Sequence, residues 1–179
     1  MIPYSEFEAN LLLVHARILR ACEACGRSPE TVALLPVTKN HPVEAVDFVV
    51  RGGLTAVGEN RVQEASEKRS SYSGRLQWEL IGHLQSNKAR DAVAIFDRIQ
   101  SVDSLKLLRR LDRFAGEQGK VLPILLQFNT GEDPNKYGFA RGEADFVLEA
   151  ALGVANLKID GLMTVAPLDD DLDVARVAF

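Results

Sequence analysis

The residues best suited to chemistry in this chain are one lysine and a set of amides, carboxylates and hydroxyls that recur where apolar runs end. Lys39 directly follows Leu34-Leu35-Pro36-Val37-Thr38, so its stem is expected to leave a buried strand. A partly desolvated ammonium gives up its charge more easily, and the neutral amine can attack a carbonyl to form an imine. On position alone, partnership with a phosphate or carboxylate is the commoner role for such a lysine. Glu59 and Asn60 follow a second run, and Asn60 reads first as a helix N-cap. Gln63 and Glu64 lie one turn further on, with Glu64 in i,i+4 reach of Lys68. The segment from Trp78 to Lys88 joins a strand to a helix, with Ser86 as a candidate cap. Its His83 reads as an acid–base group or a capping residue, with no partner defined by the sequence. Lys136 lies in the loop Asp133–Phe139 and reads either as a guard at the mouth of a site or as solvated surface. His15 falls on a helix and reads as structural.

The elements that must position these groups alternate regularly. A first helix carries Phe7, Leu11, Val14 and Ile18 at helical intervals, opens on a Ser5-x-x-Glu8 capping box, and stops at Gly26-Arg27-Ser28-Pro29. Strands are expected at Val32–Thr38, Thr55–Gly58, Leu76–Ile81, Arg98–Val102, Leu122–Asn129 and Lys158–Val165. Helices are expected near Val43–Arg51, Arg61–Ser70, Asn87–Val93, Ser104–Glu117 and Glu143–Leu152, with another beginning near Leu172. Pro42 and Asp103 mark helix starts, and Gly52-Gly53 and Gly116 mark stops.

Near-continuous apolar strands between amphipathic helices imply a parallel sheet. No Gly-rich phosphate loop follows the first strand; Lys39-Asn40-His41-Pro42 stands there instead. That favours a closed (β/α) barrel over an open nucleotide-binding sheet. The active site of a barrel lies at the C-terminal ends of its strands. Those ends carry Thr38-Lys39-Asn40, Gly58-Glu59-Asn60, Ile81-Gly82-His83, Ser101, Asn129-Thr130 and Met163-Thr164, so the polar residues gather at one rim. A full barrel needs eight strands and about 250 residues, so residues 1–179 are expected to form one domain that lacks its last two strands.

Bulk properties exclude other classes. Of 179 residues, 46% are hydrophobic and 26% charged, with a net charge of −4, which suits an ordinary globular domain. No clustered basic face suggests nucleic acid, and no apolar run suits a membrane span or signal peptide. A cytoplasmic location follows as the expectation. Cys22-x-x-Cys25 ends a helix rather than opening one after a strand, and has no second pair, so free thiols are expected rather than a redox or metal site.

Five motifs then occur in order: Pro36-Val37-Thr38-Lys39, Gly58-Glu59-Asn60-Arg61-Val62-Gln63-Glu64, the Trp78–Lys88 segment, Asn135-Lys136-Tyr137-Gly138-Phe139 and Gly161-Leu162-Met163-Thr164. Together they resemble the pyridoxal phosphate homeostasis proteins, the YggS/PROSC family, from Val32 onward. The resemblance implies a (β/α)8 TIM-type barrel of the alanine racemase N-terminal kind. It implies pyridoxal 5′-phosphate (PLP) held as a Schiff base on Lys39, Asn60 near the ring, and Asn129 and Met163 lining the same pocket by position. Lys136 matches a family lysine linked to cofactor transfer or regulation. The family pattern continues into a Ser-x-Gly-Met-Ser segment and an Arg-Ile-Gly segment that supply the phosphate cradle through backbone N–H groups. Neither is among these residues, so weaker binding is expected of this chain.

The function implied is a carrier that buffers PLP and exchanges it with amino acids or apo PLP enzymes, as a monomer and without substrate turnover. Three alternatives stand beside it. One is a PLP-dependent racemase or decarboxylase, which needs a second domain for which the chain has no room. Another is a sugar-phosphate barrel enzyme using Lys39 as an aldolase-type lysine, which would not absorb visible light. The last is a truncated, cofactor-free remnant.

Overall fold

The computed structural model describes residues 2–179. Helix α1 (Tyr4–Cys25) opens the chain with Pro3 as its N-cap and no side-chain capping bond. The Ser5–Glu8 capping box is therefore not formed. Pro3 has a φ of −61°, already suited to a helix entry, and its carbonyl accepts the Glu6 and Phe7 amides. The helix thus starts ahead of Ser5. It ends as expected on Gly26, at φ 68° in the left-handed region. Cys22 is buried and Cys25 exposed, both as free thiols.

Five parallel strands follow in the order β1-β2-β3-β4-β5: β1 (Ala56–Glu59), β2 (Gln77–Leu80), β3 (Arg98–Val102), β4 (Leu122–Gln127) and β5 (Leu157–Met163). Each is succeeded by a helix: α3 (Val62–Ser71), α4 (Ala89–Ile95), α5 (Leu105–Glu117), α6 (Ala144–Leu152) and α7 (Leu172–Ala178). Helix α2 (Glu44–Arg51) precedes β1 and stops at Gly52. Ser104, not Asp103, caps α5, accepting the Leu107 amide. Ser86 begins a short 3-10 turn before α4 rather than capping it. Strand and helix alternate throughout, as the periodicity requires, and among the described residues no helix is long and apolar enough to cross a membrane.

The expected first strand, Val32–Thr38, is reduced to a single parallel bridge between Val37 and Gly58. Gly58 donates its amide to the Pro36 carbonyl at 2.8 Å, and Thr38 donates to the Gly58 carbonyl at 3.1 Å. The preceding rung would need an N–H from Pro36, which proline lacks. The segment still runs beside β1 and extends the row of strands by one place.

Trp78, Leu80, Ile99, Ile124 and Leu126 are fully buried, as are Leu107, Leu108 and Leu111 of α5. Each contributes about 1.5–3 kcal/mol on leaving water. Alternation turns Glu79, Arg98 and Gln100 to the opposite face of the sheet. There Gln100 donates to Glu79 at 2.6 Å and Arg98 donates to Asp160 at 3.0 Å. The helix face is thus apolar across the residues named, with Glu59 of β1 the charged exception, and the other face is held by polar pairs.

Candidate functional site

Lys39 occupies the corner of a tight turn at the end of the first strand segment. His41 donates its amide to the Thr38 carbonyl at 3.1 Å, and Asn40 between them sits at φ 61°. Lys39 itself is exposed. The expectation of a partly desolvated ammonium is therefore corrected: its backbone leaves a strand, but the turn carries the side chain out to the rim.

Behind the turn lies a buried polar cluster. Glu59, the last residue of β1, is fully buried, and Lys68 of α3 is 6% exposed. The Lys68 ammonium donates to Glu59 Oε1 at 2.7 Å, Glu64 Oε1 at 2.7 Å and the Thr38 carbonyl at 2.6 Å. Thr38 Oγ1 donates to Glu59 Oε1 at 2.5 Å, and the Asn40 amide donates to Glu64 Oε1 at 2.6 Å. Helix α3 buries Ala65 and Lys68, one turn apart, so its inward face delivers the ammonium to β1. Partial burial pushes the Glu64 carboxyl up. Hydrogen bonds from Lys68 and the Asn40 amide, with the Lys68 and Arg61 charges, outweigh this and hold it below its ordinary range. The Glu64–Lys68 pairing was legible from i,i+4 spacing. The roles of Lys68 and Glu59 behind Lys39 were not, although an inward-facing lysine beside two carboxylates is the signal that marks them.

Asn60 lies half-buried at the neighbouring strand end. It does not cap α3; Arg61 occupies the N-cap position, with no side-chain bond. Gly82 packs directly against it: a Cβ there would lie 2.4 Å from the Asn60 carbonyl oxygen and 2.7 Å from its Cα. Gly82→Ala is expected to displace the Asn60 backbone and to destabilise the chain by about 1–3 kcal/mol, read by denaturant unfolding. An unchanged midpoint would show that the two strand ends separate freely.

Asn129 and Met163 stand on the other flank of the row, at the ends of β4 and β5. The Asn129 side chain donates to the Asp133 carbonyl at 2.8 Å and accepts the Asp133 amide at 3.2 Å. Its amide group thus braces the loop that carries Lys136. The loop closes on Gly138, at φ 136°, where a Cβ would meet the Asn129 amide nitrogen at 2.5 Å. Met163 lines an apolar cavity of ≈ 450 Å³ with Phe128, Leu148, Leu162 and Phe179. The structure therefore joins Lys39 and Asn60 at adjacent strand ends and sets Asn129 and Met163 across the row from them.

His83 has the partners that the sequence left undefined. Its Nδ1 lies 2.7 Å from Asp103 Oδ2, and its ring stacks on Tyr137 at 3.6 Å between centroids. The pair ties the ends of β2 and β3 to the loop bearing the exposed Lys136. His15 is exposed on α1, away from the strand ends.

Comparison with known proteins bears on this rim. The family described as alanine racemase, N-terminal domain, matches residues 15–178. A pyridoxal phosphate homeostasis protein of Vibrio alginolyticus is 34% identical over 166 residues, which is 90% of this chain and 71% of that protein. PipY of Synechococcus elongatus, solved with PLP bound, is 40% identical with a TM-score of 0.74, covering 85% of this chain and 71% of that one. An alanine racemase of Clostridium difficile shares the fold at a TM-score of 0.73 with 13% identity, covering 94% of this chain and 44% of the enzyme.

Proposed function

We infer the function from one premise: the chain belongs to the family of pyridoxal phosphate homeostasis proteins, built on the alanine racemase N-terminal domain. It binds PLP and serves vitamin B6 homeostasis, holding the cofactor covalently through Lys39 Nζ without turning over a substrate. The observation that carries this reading is the placement of Lys39, exposed at a strand end on a turn whose neighbours on both sides are held, Thr38 by the buried Lys68 and Asn40 by the half-buried Glu64.

The residues present fit such a ligand. When bound, the cofactor supplies an aldehyde to which a lysine amine attaches reversibly. Lys39 offers an accessible amine, and Asn60 offers a polar group at the next strand end. Lys39 would regain its free amine when an amino acid or a lysine of an apo enzyme takes its place. Asn129 and Met163 are assigned to the far wall, reached when the row of strands curls. The phosphate grip and the closure of the barrel are assigned to the last two strands of the family pattern. A carrier without turnover is supported by relatives named for homeostasis rather than for a reaction. We place it in the cytoplasm as a monomer.

The test is to titrate the purified chain with PLP, record the near-ultraviolet and visible spectrum, reduce with borohydride and map the labelled peptide. One adduct on Lys39 is the expected result. An adduct on another lysine, or none even when the closing strands are appended, would overturn the assignment.

A further inference from the structure

We propose that Glu59, Glu64 and Lys68 are positioning residues for the cofactor lysine, forming a clamp that fixes the Thr38–His41 turn so that Lys39 leaves it in one direction. The proposal rests on the assignment of Lys39 to the cofactor. Every backbone polar group flanking Lys39 on the clamp side is taken. The Thr38 carbonyl accepts from Lys68 and from the His41 amide, and the Asn40 amide donates to Glu64. Asn40 is held at φ 61°, a region that asparagine visits as a single residue at some cost. The Glu64 carboxylate receives the amide that this conformation presents.

Stability alone does not account for the cluster. A rim turn can satisfy its N–H and C=O groups with water. Burying an ammonium and a carboxylate is expensive, and an apolar pair of the same volume serves a fold as well or better. Here all three ammonium protons of Lys68 find acceptors, whereas Glu59 Oε2 is buried with no partner. The chain therefore keeps a costly ion cluster whose contacts converge on the two residues bracketing Lys39. A reversible covalent site needs that constraint, because an amine that wanders loses the effective concentration on which exchange depends.

The test uses Glu64, the most exposed of the three, because Lys68 variants also strain the fold. Glu64→Ala removes the acceptor of the Asn40 amide; Glu64→Gln keeps an oxygen in its place. Glu64→Ala is expected to weaken PLP binding about tenfold and to speed hydrogen exchange at the Asn40 amide about tenfold, the size expected for one charged hydrogen bond. Glu64→Gln is expected to recover most of both. It should also lose an acid limb. A carboxyl held below its ordinary value of 4.5 contributes stability that is complete above that value and is lost as pH falls through the lowered one. Glutamine has no such dependence, although Lys68, Arg61 and Glu59 still face the position. The proposal is overturned if Glu64→Ala binds PLP and exchanges Asn40 like the unaltered chain. It is also overturned if Glu64→Ala and Glu64→Gln fall together in step with melting temperature. If no PLP attaches even when the closing strands are appended, the assignment of Lys39 fails, and Asn40 exchange in the free protein still decides the clamp.

Discussion

Lys39→Ala is expected to abolish borohydride-fixable attachment of PLP while leaving the melting temperature nearly unchanged. The side chain is exposed, and the bonds that shape its turn come from Thr38, Asn40 and His41. Removing it therefore takes away the nucleophile and little else; surface changes of this kind usually stay within about 0.5 kcal/mol. What remains is non-covalent affinity, weaker by on the order of a hundredfold, or ~2.7 kcal/mol. Lys39→Arg should behave like the alanine variant, because a guanidinium does not deprotonate in proteins and cannot act as the amine. The contrast of full stability with lost attachment separates a chemical role from a structural one. Undiminished labelling of Lys39→Ala would move the cofactor to another lysine, and Lys136 would be the first to map.

Lys68→Met is expected to be the most damaging single change to stability, by about 3–5 kcal/mol in denaturant unfolding. Methionine fills a similar volume, so a cavity is not the cause. The damage comes from Glu59, fully buried, which loses its cationic partner, while the Thr38 carbonyl loses a donor. A carboxylate left alone at such a position must either stay charged without a partner or take up a proton. Combining Lys68→Met with Glu59→Gln removes both charges and keeps an oxygen for the Thr38 hydroxyl. The double variant should therefore regain about half or more of the loss, a coupling typical of residues in direct contact. A cost for Lys68→Met below about 1 kcal/mol, the range of solvent-exposed pairs, would show that the ammonium is solvated. Lys68 and Glu59 would then not form a buried ion pair.

Much of this molecule was legible from its residues. Apolar runs spaced by amphipathic stretches located the five ladder strands, because side-chain period is a local property of the backbone. Boundaries moved by one or two residues, as at β1, expected at Thr55–Gly58 and found at Ala56–Glu59. The weakened first strand has its reason in one residue, Pro36, whose missing N–H is a property of the residue type alone. The gathering of Lys39, Glu59, Asn60, His83, Asn129 and Met163 at strand ends also followed from segmentation, since parallel strands all finish on one side.

Partnership was another matter. Thr38 and Lys68 lie 30 residues apart, and His83 and Asp103 lie 20 apart. Local periodicity states which way a side chain points; it does not state which strand or helix stands opposite. Asn60 illustrates the limit, since a good capping residue before a helix is displaced from that duty by one position of backbone geometry, with Arg61 at the cap. Gly82 illustrates it again, being an ordinary turn glycine until β2 is set beside β1 and its missing Cβ proves to be the space that the Asn60 backbone fills. The sequence by itself determined the alternation, the rim and the lysine at its edge. Strand order and register, which depend on contacts distant along the chain, decided that a buried ammonium would stand behind that lysine's turn.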